Sequence, residues 1–372
     1  MQIGIPKEVK SGENRVALTP TGAAELVRRG HQVAVMTGAG LAAGFSDTQY
    51  QASGAQIMGS LKDLYASATL IVKVKEPQPE EYSLLRPAHI LFTYLHLAAS
   101  RSLTEALLAS GATCLAYETL SDHQGRLPLL APMSEIAGRV AVQAGAHHLE
   151  MAQGGKGLLL GGIPGVAPAK VLILGGGVVG ANAAAMAVGL GAEVRIMDKS
   201  IPRLRQLDDL WRGRVACEYA TRERIAELAM GADLVIGSVL NAGASAPRLL
   251  TREQIARMEA GSVLVDVAID QGGCFETSRA TTHQQPTYVE EGVIHYCVAN
   301  IPSAVGRTAT LGLTNATLDY IVRLADAGLA ALKGDAGFSA ALNIYRGELT
   351  QPAVAASFSM LWRDPFHVLN AL

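Results

Sequence analysis

The chain has 372 residues, of which 49% are hydrophobic and 17% are charged, and its formal net charge is -2. Single hydrophobic cores stop growing beyond roughly 250–300 residues, so two domains are expected. The sequence contains no dense run of Lys or Arg, which excludes the basic stripe on which nucleic-acid binding depends.

The apolar runs are short, and the N-terminus carries no secretory signal pattern. The longest runs are broken within about ten residues, whereas a bilayer span needs roughly 20. No membrane partner is expected, and a cytoplasmic location is predicted. The four cysteines are far apart and form no C-x-x-C pair, so neither a metal site nor a structural disulfide is expected.

Apolar runs alternate with Ala- and Leu-rich helical stretches, a pattern typical of parallel sheets built from βαβ units. The first series of predicted strands is Gln2–Ile5, Gln32–Met36, Leu70–Val74, Ile90–Tyr94 and Thr113–Tyr117. The second series is Val171–Leu174, Glu193–Met197, Val215–Tyr219, Leu234–Ile236, Val263–Val267 and Ile294–Val298.

Prolines and a glycine cluster flank a predicted helix, Glu135–Glu150, between the two series and indicate a crossing between domains. After Pro302 the pattern becomes helical, with a helix predicted over Leu311–Ala327. Since six strands complete the second series, this tail is expected to pack on the first domain. The predicted fold is α/β, with two doubly wound Rossmann-like domains and a cleft between them. The first, discontinuous domain takes residues 1–128 and 307–372, and the second takes residues 129–306.

A G-x-G-x-x-G pattern formed by Gly175, Gly177 and Gly180 joins a predicted strand to an alanine-rich helix. These glycines allow a tight turn, close approach of a pyrophosphate, and close packing of the helix on the sheet. The helix N-terminus then favours the diphosphate. Asp198 lies 18 residues beyond Gly180, at the end of the next strand, where a carboxylate binds the adenosine ribose. This favours NAD, a preference that the nearby Arg203 weakens slightly.

The residues 129–306 are therefore predicted to bind NAD, and the carboxyl ends of their strands should surround it. The predicted cofactor contacts along the glycine turn and the next strand are Gly175, Gly177, Val178, Val179, Gly180, Asp198 and Arg203. Those from the later strand ends are Ser238, Val239, Leu240, Val267, Asp270 and Val298. A carboxylate in an apolar run is costly to desolvate without a partner or a task, which singles out Asp270. Asp266 lies inside the strand and is interpreted as a structural hydrogen-bonding group.

Three polar residues of the first domain stand in tight turns or at strand ends: Arg15, Lys75 and His96. Oxidation of an α-amino acid needs a cationic clamp for the carboxylate, a base, and a hydride acceptor. Arg15 can clamp a carboxylate, Lys75 can bind a carboxylate or carbonyl oxygen, and His96 can exchange protons near neutral pH. Taken alone, each residue also has a structural interpretation. Arg15 could form a surface ion pair, Lys75 could be a solvated strand end, and His96 could be a histidine with its hydrogen bonds satisfied.

Motifs along almost the whole chain resemble those of the bacterial alanine dehydrogenases. They are Gly4–Glu8, Glu13–Pro20, Lys73–Pro77, Tyr94–Ala98, Val171–Gly180, Asp266–Gly273 and Thr314–Thr317. The same family includes the cofactor-binding part of the proton-translocating nicotinamide nucleotide transhydrogenase. The chain departs from the family pattern in the loops after Leu240 and Asn300.

This resemblance implies a role for each candidate residue and an oligomeric state. Arg15 and Lys75 would hold the substrate carboxylate or carbonyl, and His96 and Asp270 would be the catalytic acid and base. The residues that would approach substrate and nicotinamide are Met133, Ser134 and Asn300. A homohexamer is also implied.

The predicted activity is the reversible, NAD-dependent oxidation of L-alanine to pyruvate and ammonia, a reaction of amino-acid catabolism. One alternative is the nucleotide-binding component of a transhydrogenase, which would require a membrane partner. Another is an NAD-binding regulatory or structural protein that has lost catalysis. The presence of Lys75, His96 and Asp270 argues against that second alternative.

Overall fold

The structure is a computed structural model that describes residues 1–239 and 246–370. Leu240, one of the predicted cofactor contacts, lies outside the described residues. The chain divides into two compact units, Met1–Met133 with Val305–Leu372, and Ser134–Ala304. None of the helices in the described ranges combines the length and the apolarity that a bilayer crossing requires.

Strands and helices alternate through most of the chain. The strands are β1 (Gln2–Ile5), β2 (Gln32–Met36), β3 (Gln56–Met58), β4 (Leu70–Val72), β5 (Ile90–Thr93), β6 (Thr113–Ala116), β7 (Lys170–Leu174), β8 (Glu193–Asp198), β9 (Val215–Tyr219), β10 (Leu234–Gly237), β11 (Val263–Asp266), β12 (Thr287–Glu290), β13 (Val293–Tyr296), β14 (Leu342–Tyr345) and β15 (Glu348–Leu349). The helices are α1 (Pro20–Arg28), α2 (Asp47–Ala52), α3 (Leu61–Ser67), α4 (Pro79–Tyr82), α5 (Arg101–Ser110), α6 (Ala131–His148), α7 (Val178–Gly189), α8 (Ile201–Trp211), α9 (Arg222–Met230), α10 (Arg252–Ile255), α11 (Gly306–Ala327), α12 (Ala336–Ser339), α13 (Pro352–Phe358) and α14 (Pro365–Asn370).

The sheet of the first unit has the order β15-β14-β6-β5-β4-β1-β2-β3. Strands β1 to β6 are parallel, and the direction of winding reverses between β1 and β4. The central strands β4 and β5 are buried along their whole length, as expected for a parallel sheet covered on both faces. The tail supplies β14 and β15, an antiparallel addition that its helical pattern did not predict.

The sheet of the second unit has the order β12-β13-β11-β10-β7-β8-β9. Its six parallel strands follow the order of the dinucleotide-binding fold, with the reversal between β7 and β10. The short β12, which the sequence analysis missed, pairs antiparallel with β13 at the edge. The predicted α/β class with two doubly wound sheets is confirmed.

A buried charge cluster lies where the winding of the first sheet reverses. Lys73, which follows β4, is fully buried, with its ammonium 2.9 Å from Glu81 Oε1 and 3.2 Å from Glu8 Oε2. The Tyr65 hydroxyl donates to Glu81 Oε1 at 2.8 Å. Burial alone would lower the pKa of Lys73, but the two carboxylates outweigh it and raise that pKa. The cluster ties the segment after β1 to the end of β4, since Glu8 Oε1 also accepts the Val74 N–H at 2.6 Å.

Replacing Lys73 by Met should lower the free energy of unfolding by about 3–5 kcal/mol, because it leaves two buried carboxylates without their cation. Urea unfolding followed by circular dichroism measures the loss. The exposed Lys62 is the matched control, and Lys62→Met should change stability by less than about 0.5 kcal/mol. Equal stability of the two variants would show that the cluster contributes nothing to folding.

Candidate active site

The candidate substrate residues of the first unit lie in segments that follow its central strands. Arg15 belongs to the loop after β1, Lys75 follows β4, and His96 follows β5. The last two segments are bonded side by side, because the Thr93 hydroxyl donates to the Lys75 carbonyl at 2.8 Å. In doubly wound sheets the point where strand order reverses is the usual place for a ligand. The first sheet therefore places Arg15 and Lys75 after the two strands that flank its reversal, and His96 after the neighbouring strand β5.

Arg15 is held by a side-on, bidentate ion pair. Its Nε and Nη2 donate to the two carboxylate oxygens of Glu13 at 2.6 and 2.5 Å, and its side chain is only 2% exposed. Arg15 Nη1 lies 3.0 Å from the sulfur of Met133, another predicted substrate contact. Burial acts to lower the pKa of Arg15, but Glu13 outweighs it and raises that pKa. The ion pair is buried, so Arg15 is not the surface pair that was its ordinary alternative.

Lys75 is partly buried, and within the described ranges its ammonium group has no hydrogen-bond partner. Burial lowers its pKa, and the positive charges of Arg15 and Lys10 lower it further, against Glu13 and Glu76. A lysine in this setting can bind an anionic or carbonyl oxygen, and it exchanges its proton more readily than a solvated lysine.

His96 adopts a left-handed backbone conformation, with φ 48° and ψ 41°, which is strained for a residue with a side chain. Glu118 stabilises this turn, since its Oε1 accepts the His96 N–H at 2.6 Å. The imidazole is stacked parallel to the Tyr94 ring at 5.9 Å between centroids, and its side chain is 46% exposed. The ring is accessible, so it is not a satisfied core histidine. Glu118 was not predicted from the sequence, although it stands just after β6, at the same kind of strand end as the other candidate residues.

A cavity of about 180 Å³ borders Arg15 and Glu13 in the first unit. Its charged lining comes from Lys7, Glu8, Glu13 and Arg15, and the rest from the loop after β2. All four charged residues lie in the segment after β1, so the cavity is polar and of mixed charge. It is large enough for a few water molecules or a small polar ligand.

The glycine turn of the second unit has the shape that a dinucleotide needs. Gly175 has φ +104°, and a Cβ there would lie 2.8 Å from the Ser238 carbonyl oxygen. A Cβ on Gly180 would lie 1.9 Å from the Gly175 oxygen, whereas a Cβ on Gly177 would meet no atom of the described residues within 4 Å. The space left before Gly177 and the start of α7 at Val178 fit a diphosphate.

Side chains around this turn hold it in place. The Ser238 hydroxyl lies 2.9 Å from the Leu174 oxygen and 3.0 Å from the Gly175 oxygen. Asp198 accepts the Gly176 N–H at 2.6 Å, and Arg203 Nε donates to the Gly176 oxygen at 2.6 Å. Asp198 is partly exposed, so its carboxylate can also reach a ribose hydroxyl. Val178 is 44% exposed and Val179 is partly exposed at the start of α7.

The burial expected for Asp270 is wrong, because its side chain is exposed on the helical turn Ile269–Gln271. The buried carboxylate is Asp266, which is 0% exposed and accepts hydrogen bonds from Ala268 N, Cys274 N and Ser278 Oγ at 3.1, 2.7 and 2.5 Å. Burial raises the pKa of Asp266 despite these bonds. The chain turns after β11, which directs Asp270 outward while Asp266 stays in the strand.

The other predicted contacts of this unit differ in what they can offer a ligand. Val298 is fully buried, so only its main chain could contact a cofactor, while Val239, Val267 and Ser134 are partly exposed. Asn300 has φ 68° and is, with His96, the second candidate residue that has a left-handed backbone conformation.

A histidine that the sequence analysis left without a role supports Asn300. His283 Nε2 lies 3.1 Å from the Asn300 carbonyl oxygen, which also accepts the Ser303 N–H at 3.0 Å. A carbonyl oxygen only accepts, so Nε2 carries the proton. Across the described part of the chain, no group of three or more His, Cys, Asp or Glu could hold a metal ion.

Replacing Gly177 by Ala should weaken NADH binding about tenfold or more while the fold stays intact. The added methyl meets no atom in the part of the chain that the structure describes, and φ is -66°, but the methyl occupies the approach of the pyrophosphate to hydrogen bonds worth about 1.5–3 kcal/mol each. NADH fluorescence titration and thermal unfolding measure the two properties. Gly189→Ala, at the far end of α7 and also without a contact among the described residues, is the control with unchanged binding. Wild-type affinity in Gly177→Ala would contradict the assignment of this turn.

Both halves of the chain match known protein families. The family described as alanine dehydrogenase/PNT matches with its N-terminal domain over residues 4–137 and with its C-terminal domain over residues 141–352. An alanine dehydrogenase of Halomonas elongata is 59% identical over 361 residues, 97% of either chain. One of Bacillus subtilis is 52% identical and covers 95% of this chain and 94% of its own.

Solved structures agree with these sequence matches. An L-alanine dehydrogenase superimposes with a TM-score of 0.93 at 52% identity, over 96% of this chain and 99% of the other. A transhydrogenase from Sinorhizobium meliloti gives a TM-score of 0.81 at 26% identity, over 95% of this chain and 100% of the other. Since the matches span both units at high identity, the chain belongs to the alanine dehydrogenase/PNT family.

Proposed function

We propose that this chain catalyses the L-alanine dehydrogenase reaction, the reversible NAD-dependent oxidative deamination of L-alanine to pyruvate and ammonia. The observation that carries the proposal is the placement of Arg15, Lys75 and His96 in segments that follow the central strands of the first sheet. Relatives bearing the alanine dehydrogenase name over the full length support the choice of substrate. The transhydrogenase, at 26% identity, is the more distant relative.

The second unit would hold NAD, which supplies the hydride acceptor when bound. The turn from Gly175 to Gly180 presents main-chain N–H groups and the N-terminus of α7 to the diphosphate. Asp198 would bind the adenosine ribose, and its negative charge disfavours a 2′-phosphate. Arg203 acts on the same turn through the Gly176 carbonyl. The proposed contacts toward the nicotinamide come from the later strand ends and the start of the unit: Ser134, Ser238, Val239, Val267, Asp270 and Val298.

The first unit would bind the substrate by its carboxylate. Arg15 supplies a planar, permanently charged fork, and Lys75 supplies an ammonium with no protein partner within the described ranges. As pyruvate binds or forms, Lys75 can also donate to the carbonyl oxygen. Met133, already against Arg15 Nη1, and Asn300 complete the proposed substrate contacts.

His96 and Asp270 would move the protons of the reaction. The α-amino group of alanine must be neutral before hydride leaves Cα, so a base has to take its proton. His96 has an accessible imidazole, and Asp270 has an exposed carboxylate. The same groups would assist the addition of water and the departure of ammonia that complete the deamination.

The proposal includes the setting of the enzyme. Its partners are L-alanine, pyruvate and ammonium, without nucleic acid or membrane. A homohexamer in the cytoplasm, active in amino-acid catabolism, is the expected state. The residues 1–128 and 307–372 form the proposed substrate domain, and residues 129–306 the NAD-binding domain.

The purified protein should consume NADH in the presence of pyruvate and ammonium together, and it should stop when ammonium is omitted. The ammonium dependence distinguishes amine formation from reduction of pyruvate to a hydroxy acid. This dependence is measured by following NADH absorbance while each reactant is left out in turn. No NADH loss with all three present would refute the proposed reaction.

Replacement of His96 by Ala, or of Asp270 by Asn, should lower kcat by about 100- to 10,000-fold, the range of general acid–base catalysis. NADH should still bind to both variants, because the glycine turn that would hold the diphosphate is untouched. His123→Ala, at an exposed loop position, is the matched control and should keep wild-type turnover. Normal turnover in either test variant would remove that residue from the mechanism.

A further inference from the structure

Arg15 makes more hydrogen bonds to Glu13 than binding of a substrate carboxylate by Arg15 would require. Both carboxylate oxygens of Glu13 are used by Nε and Nη2 of Arg15, and Glu13 Oε1 also accepts the Arg15 backbone N–H at 3.0 Å. The side chains are 2% and 0% exposed. Two residues close in sequence thus bury opposite charges in one fixed geometry.

This geometry decides how Arg15 can meet a ligand. The side of the guanidinium formed by Nε and Nη2 already faces Glu13, so a substrate carboxylate has to approach the other side, where Nη1 now contacts Met133. A planar fork recognises a carboxylate bidentately only when its plane and edge are fixed. Glu13 therefore determines which edge of the Arg15 guanidinium can bind the substrate carboxylate.

The pair also sets the charge around Lys75. Arg15 and Glu13 together are neutral, so the pair adds no net charge beside Lys75. The charged groups that act on its ammonium are Arg15 and Lys10, which lower its pKa, and Glu13 and Glu76, which raise it. Loss of either carboxylate would make Lys75 give up its proton at a lower pH.

We propose that Glu13 is a positioning residue with two effects, fixing the edge of Arg15 that meets the substrate carboxylate and keeping Lys75 in its ammonium form. This proposal rests on the proposed function, because it assumes that Arg15 and Lys75 bind the α-keto or α-amino acid. A purely structural ion pair would instead change stability and leave substrate affinity and pH dependence alone.

Three variants separate the two effects. Glu13→Asp keeps the charge and shortens the side chain, so it disturbs the orientation of Arg15 alone. Glu76→Gln removes a charge that acts on Lys75 and leaves the Arg15 pair intact. Glu13→Gln does both. The measurements are KM and kcat for pyruvate at saturating NADH and ammonium, across pH, together with thermal unfolding.

Glu13→Asp should raise the KM for pyruvate about tenfold or more with a smaller change in kcat, because the edge of Arg15 that meets the substrate carboxylate is then misdirected. The alkaline fall of kcat/KM should keep its wild-type position. Glu76→Gln should keep KM within about twofold on the acid side of that fall and move the fall to lower pH, by up to about one unit. Glu13→Gln should show both changes.

A wild-type KM in Glu13→Asp would overturn the orientation effect, and an unmoved alkaline fall in both Gln variants would overturn the electrostatic one. Lowered thermal stability with neither kinetic change would show a structural ion pair only. If Glu13→Gln fails to fold, Glu13→Asp still decides the orientation effect, and an unmoved alkaline fall in Glu76→Gln would still overturn the electrostatic one, because that fall would then not respond to a carboxylate that acts on Lys75. A wild-type protein without ammonium-dependent NADH oxidation refutes the proposed reaction instead, before any variant is compared.

Discussion

The need to cover both faces of a parallel sheet governs the structure. A right-handed crossover places its helix on one face only, so both faces are covered when the chain winds outward from the centre in two directions. In the first unit this reversal lies between β1 and β4, and in the second between β7 and β10. The connections after these strands leave in opposite directions, which opens a crevice at the strand ends. The segments bearing Arg15, Lys75, Gly175 and Ser238 all follow strands at these reversals.

The two units use this common position with different chemistry. The first relies on charged side chains, with the buried pair of Arg15 and Glu13 and the buried cluster around Lys73. Burying charges is costly unless each is paired in good geometry, so such networks fix orientation more than they add stability. The second relies on the main chain, with glycines at Gly175 and Gly180 where a Cβ would collide with backbone. The first unit thus offers fixed side-chain donors, and the second offers fixed main-chain donors.

Local patterns predicted most of the parallel strands and the glycine turn, because buried strands are continuous apolar runs and the turn needs glycine. The strands β3, β12, β14 and β15 were missed, since β3 and β12 are short and partly polar and β14 and β15 lie in a tail of helical composition. Glu118 and His283 were missed because their hydrogen-bond partners, His96 and Asn300, are 22 and 17 residues away, and the fold alone pairs them. The expectation that Asp270 is buried was wrong for the opposite reason. It rested on the apolar neighbours of Asp270 along the chain, and these do not indicate the turn after β11 that directs the side chain outward.

The discontinuity of the first unit has a consequence for synthesis on the ribosome. Strand β6 pairs with β14, and the Ala116 N–H bonds to the Ala341 oxygen at 2.7 Å, so this edge stays open until the tail has been made. At 5–20 residues per second, translation from the end of the first segment to β14 takes about 10–40 s. The second unit is continuous in sequence and can complete its sheet during that interval. An exposed strand edge can associate with other nascent chains. Pairing of β14 with β6 therefore also ends the period in which this edge can associate with them.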